Sequence, residues 1–131
     1  MNILGIGIDI VEISRVVELI NKYSSFRNKI LTPEELLDPR SHKPEFIAGR
    51  WAAKEAVAKA IGSGFSAHCK ILDISILNET GGRPIVYISG DTLEYLKSIH
   101  SKYSVHISIS HDTYATAFCI LESLRIDTVS S

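Results

Sequence analysis

Apolar residues run almost unbroken from Ile3 to Val11, interrupted by Gly5, Gly7 and Asp9, and such a run predicts a strand buried on at least one face. The spacing then turns helical. Ile13, Val16, Val17 and Ile20 fall on one side and Arg15, Glu18, Asn21 and Lys22 on the other, which predicts an amphipathic helix. Thr32-Pro33-Glu34-Glu35 combines a hydroxyl cap, a proline at the first helical position and a glutamate three residues after the cap, so a short helix should begin there. Strong helix formers fill Glu45 to Ile61 after Pro44, and Gly62 and Gly64 should end that helix. Period-two alternation then predicts strands at Ile71–Leu77, Ile85–Ser89, Val105–Ser110 and Tyr114–Leu121, with a helix over Asp91–Tyr103.

The resulting order, β-α-α-α-β-β-α-β-β, lacks strict alternation. It predicts an α+β fold, a mostly antiparallel sheet packed against the long alanine-rich helix. At 131 residues the chain suits one domain, 1–131, with 122–131 as a frayed tail. No stretch approaches the roughly 18 apolar residues of a membrane span. The N-terminal apolar run has neither a basic segment before it nor a small-residue cleavage site after it, so the expected location is the cytoplasm. Cys69 and Cys119 lie far apart and form no paired motif, which argues against a disulfide framework or a thiolate metal site. A net charge of −1 provides no global attraction to nucleic acid, so any anion specificity must be local.

In the first strand a period of two puts Gly5, Gly7 and Asp9 on one face and Leu4, Ile6, Ile8 and Ile10 on the other. Glycine weakens a strand unless something approaches its backbone closely, and a buried carboxylate needs a cation or hydrogen bonds. Asp9 could equally cap the helix that follows. The spacing matches neither a dinucleotide fingerprint nor a P-loop, since Ile10 stands where a third glycine belongs and no Gly-Lys-Ser or Gly-Lys-Thr occurs. In the alanine-rich helix Arg50 and Lys54 stand one turn apart, as do Glu55 and Lys59, and alanine or apolar residues fill most positions between. Glu55 with Lys59 could be an ordinary intrahelical ion pair. A strand carboxylate, a helix carboxylate and nearby cations also suit magnesium and a diphosphate: the metal takes one or two carboxylates and completes its shell with water and phosphate oxygens. Lys59, Arg50, Lys43 and Arg83 are candidate anion contacts, with backbone N–H groups at Gly62 to Gly64 as further donors.

These two segments, GIGIDIVEI and FIAGRWAAKEAVAKAIGSG, with the later GGRP and VHISISH, resemble the holo-[acyl-carrier-protein] synthases, the small single-domain class of 4'-phosphopantetheinyl transferases, from Ile3 to about Leu121. The resemblance implies transfer of 4'-phosphopantetheine from coenzyme A to a serine of apo acyl carrier protein, with release of 3',5'-ADP, in support of fatty acid biosynthesis. It implies Asp9 and Glu55 as Mg2+ ligands and Lys59 as the lysine that meets the diphosphate. It further implies coenzyme A contacts at His42, Lys43, Arg50, Gly62, Gly82, Arg83 and Pro84, and a nucleotide pocket lined by Ser110 and His111. Carrier-protein contacts at Arg15 and Lys22 and a homotrimer with sites shared between neighbours complete the expectation.

The chain departs from that pattern in three places. The loop before Phe46, richly basic in the family where it meets the 3'-phosphate of coenzyme A, here reads Ser41-His42-Lys43. Arg15 and Lys22 are the only basic residues of the first helix, with Arg27 and Lys29 beyond it. The turn at His111-Asp112-Thr113 is short. A non-catalytic module binding coenzyme A or carrier protein is the alternative, and a metal-dependent diphosphate hydrolase the third reading.

Overall fold

The computed structural model describes residues 2–124. Its elements are β1 (Ile3–Glu12), α1 (Ile13–Lys22), α2 (Phe26–Ile30), α3 (Pro33–Leu36), α4 (Pro44–Ile61), β2 (Ile74–Asn78), β3 (Pro84–Ile88), α5 (Gly90–Ile99), β4 (Tyr103–His111) and β5 (Tyr114–Ser123). The fold is α+β, as the pattern predicts. Strands β1, β5 and β4 form an antiparallel sheet in that order, and β2 and β3 pair separately. Helix α4 lies on the three-stranded sheet, and its buried face, Ile47, Ala48, Ala52, Ala56 and Ala60, shares the core with Val11, Ala115, Ala117, Cys119 and Leu121.

The two glycines of β1 explain how closely that helix sits. A Cβ on Gly5 would lie 1.8 Å from the carbonyl oxygen of Ala60, and one on Gly7 1.8 Å from that of Ala56. The close partner of the glycine face is therefore the backbone of α4. The opposite face of β1 remains open: Ile6, Ile8 and Ile10 are 55%, 64% and 60% exposed, beside Phe118 of β5.

Several boundaries move, each for a local reason. The helix α2 carries too few residues for a period to show. The expected strand from Ile71 opens as a 3-10 turn over Ile71–Asp73, because Asp73 turns aside and accepts from the backbone and hydroxyl of Thr92 (3.1 and 2.8 Å) at the start of α5. Helix α5 stops at Ile99 rather than Tyr103, since Tyr103 is already paired with Ser123 across the sheet. That pairing also places Glu122 and Ser123, read as the start of a frayed tail, inside β5. Residues 125–131 lie outside the described residues.

Two buried ionic groups hold the layer beneath α4. Lys54, expected only as a charge one turn from Arg50, is fully buried and donates to Glu35 Oε1 (2.5 Å) and to the carbonyl of Ile30 (2.6 Å). Glu35 also accepts from the backbone of Thr32 (2.8 Å), closing the predicted capping box, and from Ile76 N (2.9 Å). With its oxygens so occupied, the pair ties α2, α3, α4 and β2 together. Removing one partner would strand a buried charge, at a cost of about 3–5 kcal/mol.

Candidate active site

Close contact of Gly7 with Ala56 brings Asp9, two residues further along β1, against Glu55 and Lys59 of α4. Lys59 Nζ donates to Asp9 Oδ1 (3.0 Å) and to the carbonyl of Ile8 (2.9 Å), so its partner is the strand aspartate rather than Glu55. Asp9 does not cap α1, whose N-cap is Glu12. Burial raises the Glu55 carboxyl above its usual value, and the charge of Asp9 adds to the rise while Lys59 opposes it. Two carboxylates repelling each other with one ammonium between them is an arrangement short of positive charge.

These three residues line a cleft of about 890 Å³ with Glu12, Arg15, Glu18, Lys22, Tyr23, Trp51 and Tyr114. The expected carrier-protein contacts, Arg15 and Lys22, thus share the cleft with the expected metal ligands, although Glu12 and Glu18 offset their charge. Trp51, Glu55 and Lys59 occupy successive turns of one helix face, so helical spacing from Glu55 could have marked Trp51. Its ring meets Phe26 edge-on at 5.4 Å. Arg27, beyond α1, is committed elsewhere: Nε and Nη2 donate to the carbonyl and hydroxyl of Ser41 (2.9 and 2.6 Å), fastening the loop before α4.

Among the described residues no group of three or more histidine, cysteine, aspartate or glutamate side chains is placed to hold a metal alone. Asp9 and Glu55 nevertheless fit magnesium, because their hard carboxylate oxygens are mutually repelling and one or two such ligands suffice when phosphate and water supply the rest. The cysteines take no part. Burial lifts their thiols to about 11 at Cys69 and about 12 at Cys119.

A second cleft, of about 320 Å³, collects Lys43, Arg50, Gly82, Pro84 and His111 together with Arg40, Glu45, Phe46, Gly49, Asn78 and Ile109. A shallower hollow, of about 420 Å³, holds Ser110, His111, Asp112, Thr113 and Thr116; it shares Ile10 and Tyr114 with the first cleft and His111 with the second. His42, Gly62 and Arg83 line none of the three. The backbone N–H groups of Gly62 and Gly64, expected as substrate donors, both donate to the carbonyl of Ala58 (3.2 Å each) and close the end of α4. Arg40, Asp38 and Asn78 were not marked by the sequence, since only tertiary folding brings the Asp-Pro-Arg segment to Asn78.

A model of the 4'-phosphopantetheinyl transferase superfamily matches residues 5–119. The chain belongs to that superfamily. It is 42% identical over 123 residues to a holo-[acyl-carrier-protein] synthase of Clostridium tetani, covering 92% of this chain and 96% of the relative. Its fold is similar to the crystal structure of the Neisseria meningitidis holo-[acyl-carrier-protein] synthase, with a TM-score of 0.85 and 36% identity over 93% of this chain and all of that one. The Bacillus anthracis synthase, solved in complex with coenzyme A (3',5'-ADP), gives a TM-score of 0.76 and 39% identity over 92% and 97% of the two chains. Transferase membership gives Asp9, Glu55 and Lys59 a context in which paired carboxylates and a lysine are chemically apt. It also sets a geometric problem, because Asp9, Glu55 and Lys59 line one cleft while Lys43, Arg50, Gly82, Pro84 and His111 line another, on a different face of α4.

Proposed function

We propose that this chain transfers the 4'-phosphopantetheine group of coenzyme A to a serine hydroxyl of an apo acyl carrier protein, releasing 3',5'-ADP. The observation that carries the reading is the meeting of Asp9, Glu55 and Lys59 on one cleft wall, from segments 50 residues apart. Asp9 and Glu55 would hold the magnesium ion, which when bound supplies neutralisation of the diphosphate charge. Lys59 spends two of its three N–H groups on Ile8 and Asp9. The third is available to the diphosphate oxygen that departs as the serine oxygen–phosphorus bond forms. Candidate acceptors for the serine proton are Glu55, a water and a carboxylate of the carrier protein. Arg15 and Lys22, which line the same cleft from α1, would meet that partner.

The expected coenzyme A contacts Lys43, Arg50 and His111 lie in the second cleft, so a single copy does not gather them around Asp9. We infer that copies of the chain complete each other's sites, three in number as the family resemblance implies. Support comes from the open face of the sheet. Ile6, Ile8 and Ile10 of the edge strand β1, with Phe118 of its neighbour β5, form an exposed apolar surface beside the hollow that adjoins both clefts. The whole described chain then acts as one catalytic domain.

With coenzyme A, magnesium and apo carrier protein, the wild-type chain should release 3',5'-ADP, and Asp9→Ala should lower the rate by at least roughly a hundredfold while remaining folded. Near-normal release by that variant would overturn the assignment of the cleft.

A further inference from the structure

The second cleft contains a paired-guanidinium arrangement that the sequence did not reveal. Arg40 donates through Nε to Asp38 Oδ1 (3.0 Å) and through Nη2 to Asp38 Oδ2 (2.7 Å) and Asn78 Oδ1 (3.1 Å). Arg50, only 6% exposed, sends its own Nη2 to the same Asn78 oxygen, and its Nε is buried without a partner. Both guanidinium carbons lie over the Phe46 ring, at 5.1 and 4.3 Å from its centroid. Asn78 is fixed in turn, because its Nδ2 donates to the carbonyl of Gly82 (2.6 Å).

A guanidinium carries five N–H groups. Those bonds occupy Nε and Nη2 of Arg40 and leave both N–H groups of Nη1 unspent. Arg50 likewise has unspent donors, including a buried one whose lack of an acceptor costs about 1–3 kcal/mol. Two like charges converge on one neutral amide oxygen, and the one carboxylate bonded there, Asp38, bonds Arg40 and not Arg50. Lys43 adds a third cation to the cleft; Glu45 is its acidic wall residue, in the first turn of α4. No side chain caps that helix N-terminus, which adds its own partial positive charge to the same region. Free guanidinium donors from two arginines lining one cleft suit a phosphate group, whose several oxygens can accept from both at once.

We infer that Arg40, aimed by Asp38 and Asn78, grips a phosphate group of the bound coenzyme A together with Arg50. This inference rests on reading the second cleft as the coenzyme A site. It gives the chain a cation at position 40 in place of the basic run that the segment 41–43 lacks. Asp38 is a positioning residue: it touches the ligand only through the orientation it imposes on Arg40.

Calorimetric titration with coenzyme A and with 3'-dephospho-coenzyme A tests the assignment without requiring turnover. Arg40→Gln should weaken coenzyme A binding about tenfold or more, and Arg40→Lys should recover part of the loss, because a point charge replaces the fork. Asp38→Asn should weaken binding in the wild-type background and change nothing further in Arg40→Gln. A loss confined to coenzyme A identifies the ribose phosphomonoester as the gripped group, and an equal loss with both ligands identifies the diphosphate. Equal affinity of wild type and Arg40→Gln for coenzyme A overturns the inference while leaving the transferase reading in place. Arg40-dependent binding by a chain that transfers nothing does the reverse, and no binding by wild type overturns both.

Discussion

Glu55 carries the clearest consequence for stability among the residues of the proposed site. Its folded-state pKa is raised, so the native protein binds the Glu55 proton more tightly than the unfolded chain does. The corresponding stability is present below the unfolded value of 4.5 and is lost as pH rises through the folded one. At neutral pH the ionised carboxylate therefore opposes folding. Glu55→Gln should raise the melting temperature at pH 7, with the difference vanishing below pH 4.5, while transfer falls by at least roughly a hundredfold. Added magnesium should raise the melting temperature of the wild type but not of Glu55→Gln. Thermal scans at both pH values, with and without the ion, read all three effects; a lower melting temperature for the variant at pH 7 would contradict the charge balance described for Asp9, Glu55 and Lys59.

At the scale of the element, the contact of β1 with α4 creates the first cleft. Gly7→Ala would push a methyl group into the carbonyl of Ala56 and should cost at least about 3 kcal/mol in urea denaturation. Gly62→Ala, at φ 96° with nothing within 4 Å, should cost only about 1 kcal/mol. Equal costs would mean that the helix can shift away from the strand freely. The same pair of elements shows what a sequence makes legible. Helix α4 is evident because alanine propensity, Pro44 and Gly62 agree, and Asp9, Glu55 and Lys59 stand out as charges among small or apolar residues. The reason for the glycines does not stand out, since the helix backbone they accommodate is some 50 positions away. Nor do polar contacts across folded distance: Lys54 finds Glu35 at a separation of 19 residues and Arg40 finds Asn78 at 38. The isoleucine face of β1 reads as core by composition, and only the burial of the glycine face reveals that it stays open.

For the whole molecule, the separation of the clefts and the open apolar face make one prediction together. Asp9→Ala damages the first cleft and Arg50→Gln the second, so each alone should be inactive. If random mixing in a cyclic assembly pairs an intact first cleft with an intact second one, co-refolding the two variants in equal amounts should restore about a quarter of wild-type activity. No recovery from a mixture shown to exchange subunits would contradict sites completed between copies. Asp9 and Glu55 lie in one cleft of one chain, so the corresponding mixture of those two variants should stay inactive. The transfer itself is tested most directly by the mass of purified apo acyl carrier protein after incubation with this chain, coenzyme A and magnesium, with and without chelator. A gain of roughly 340 Da that chelator abolishes is the predicted result, the mass of one phosphopantetheine group; an unchanged carrier mass alongside demonstrable coenzyme A binding would contradict the account.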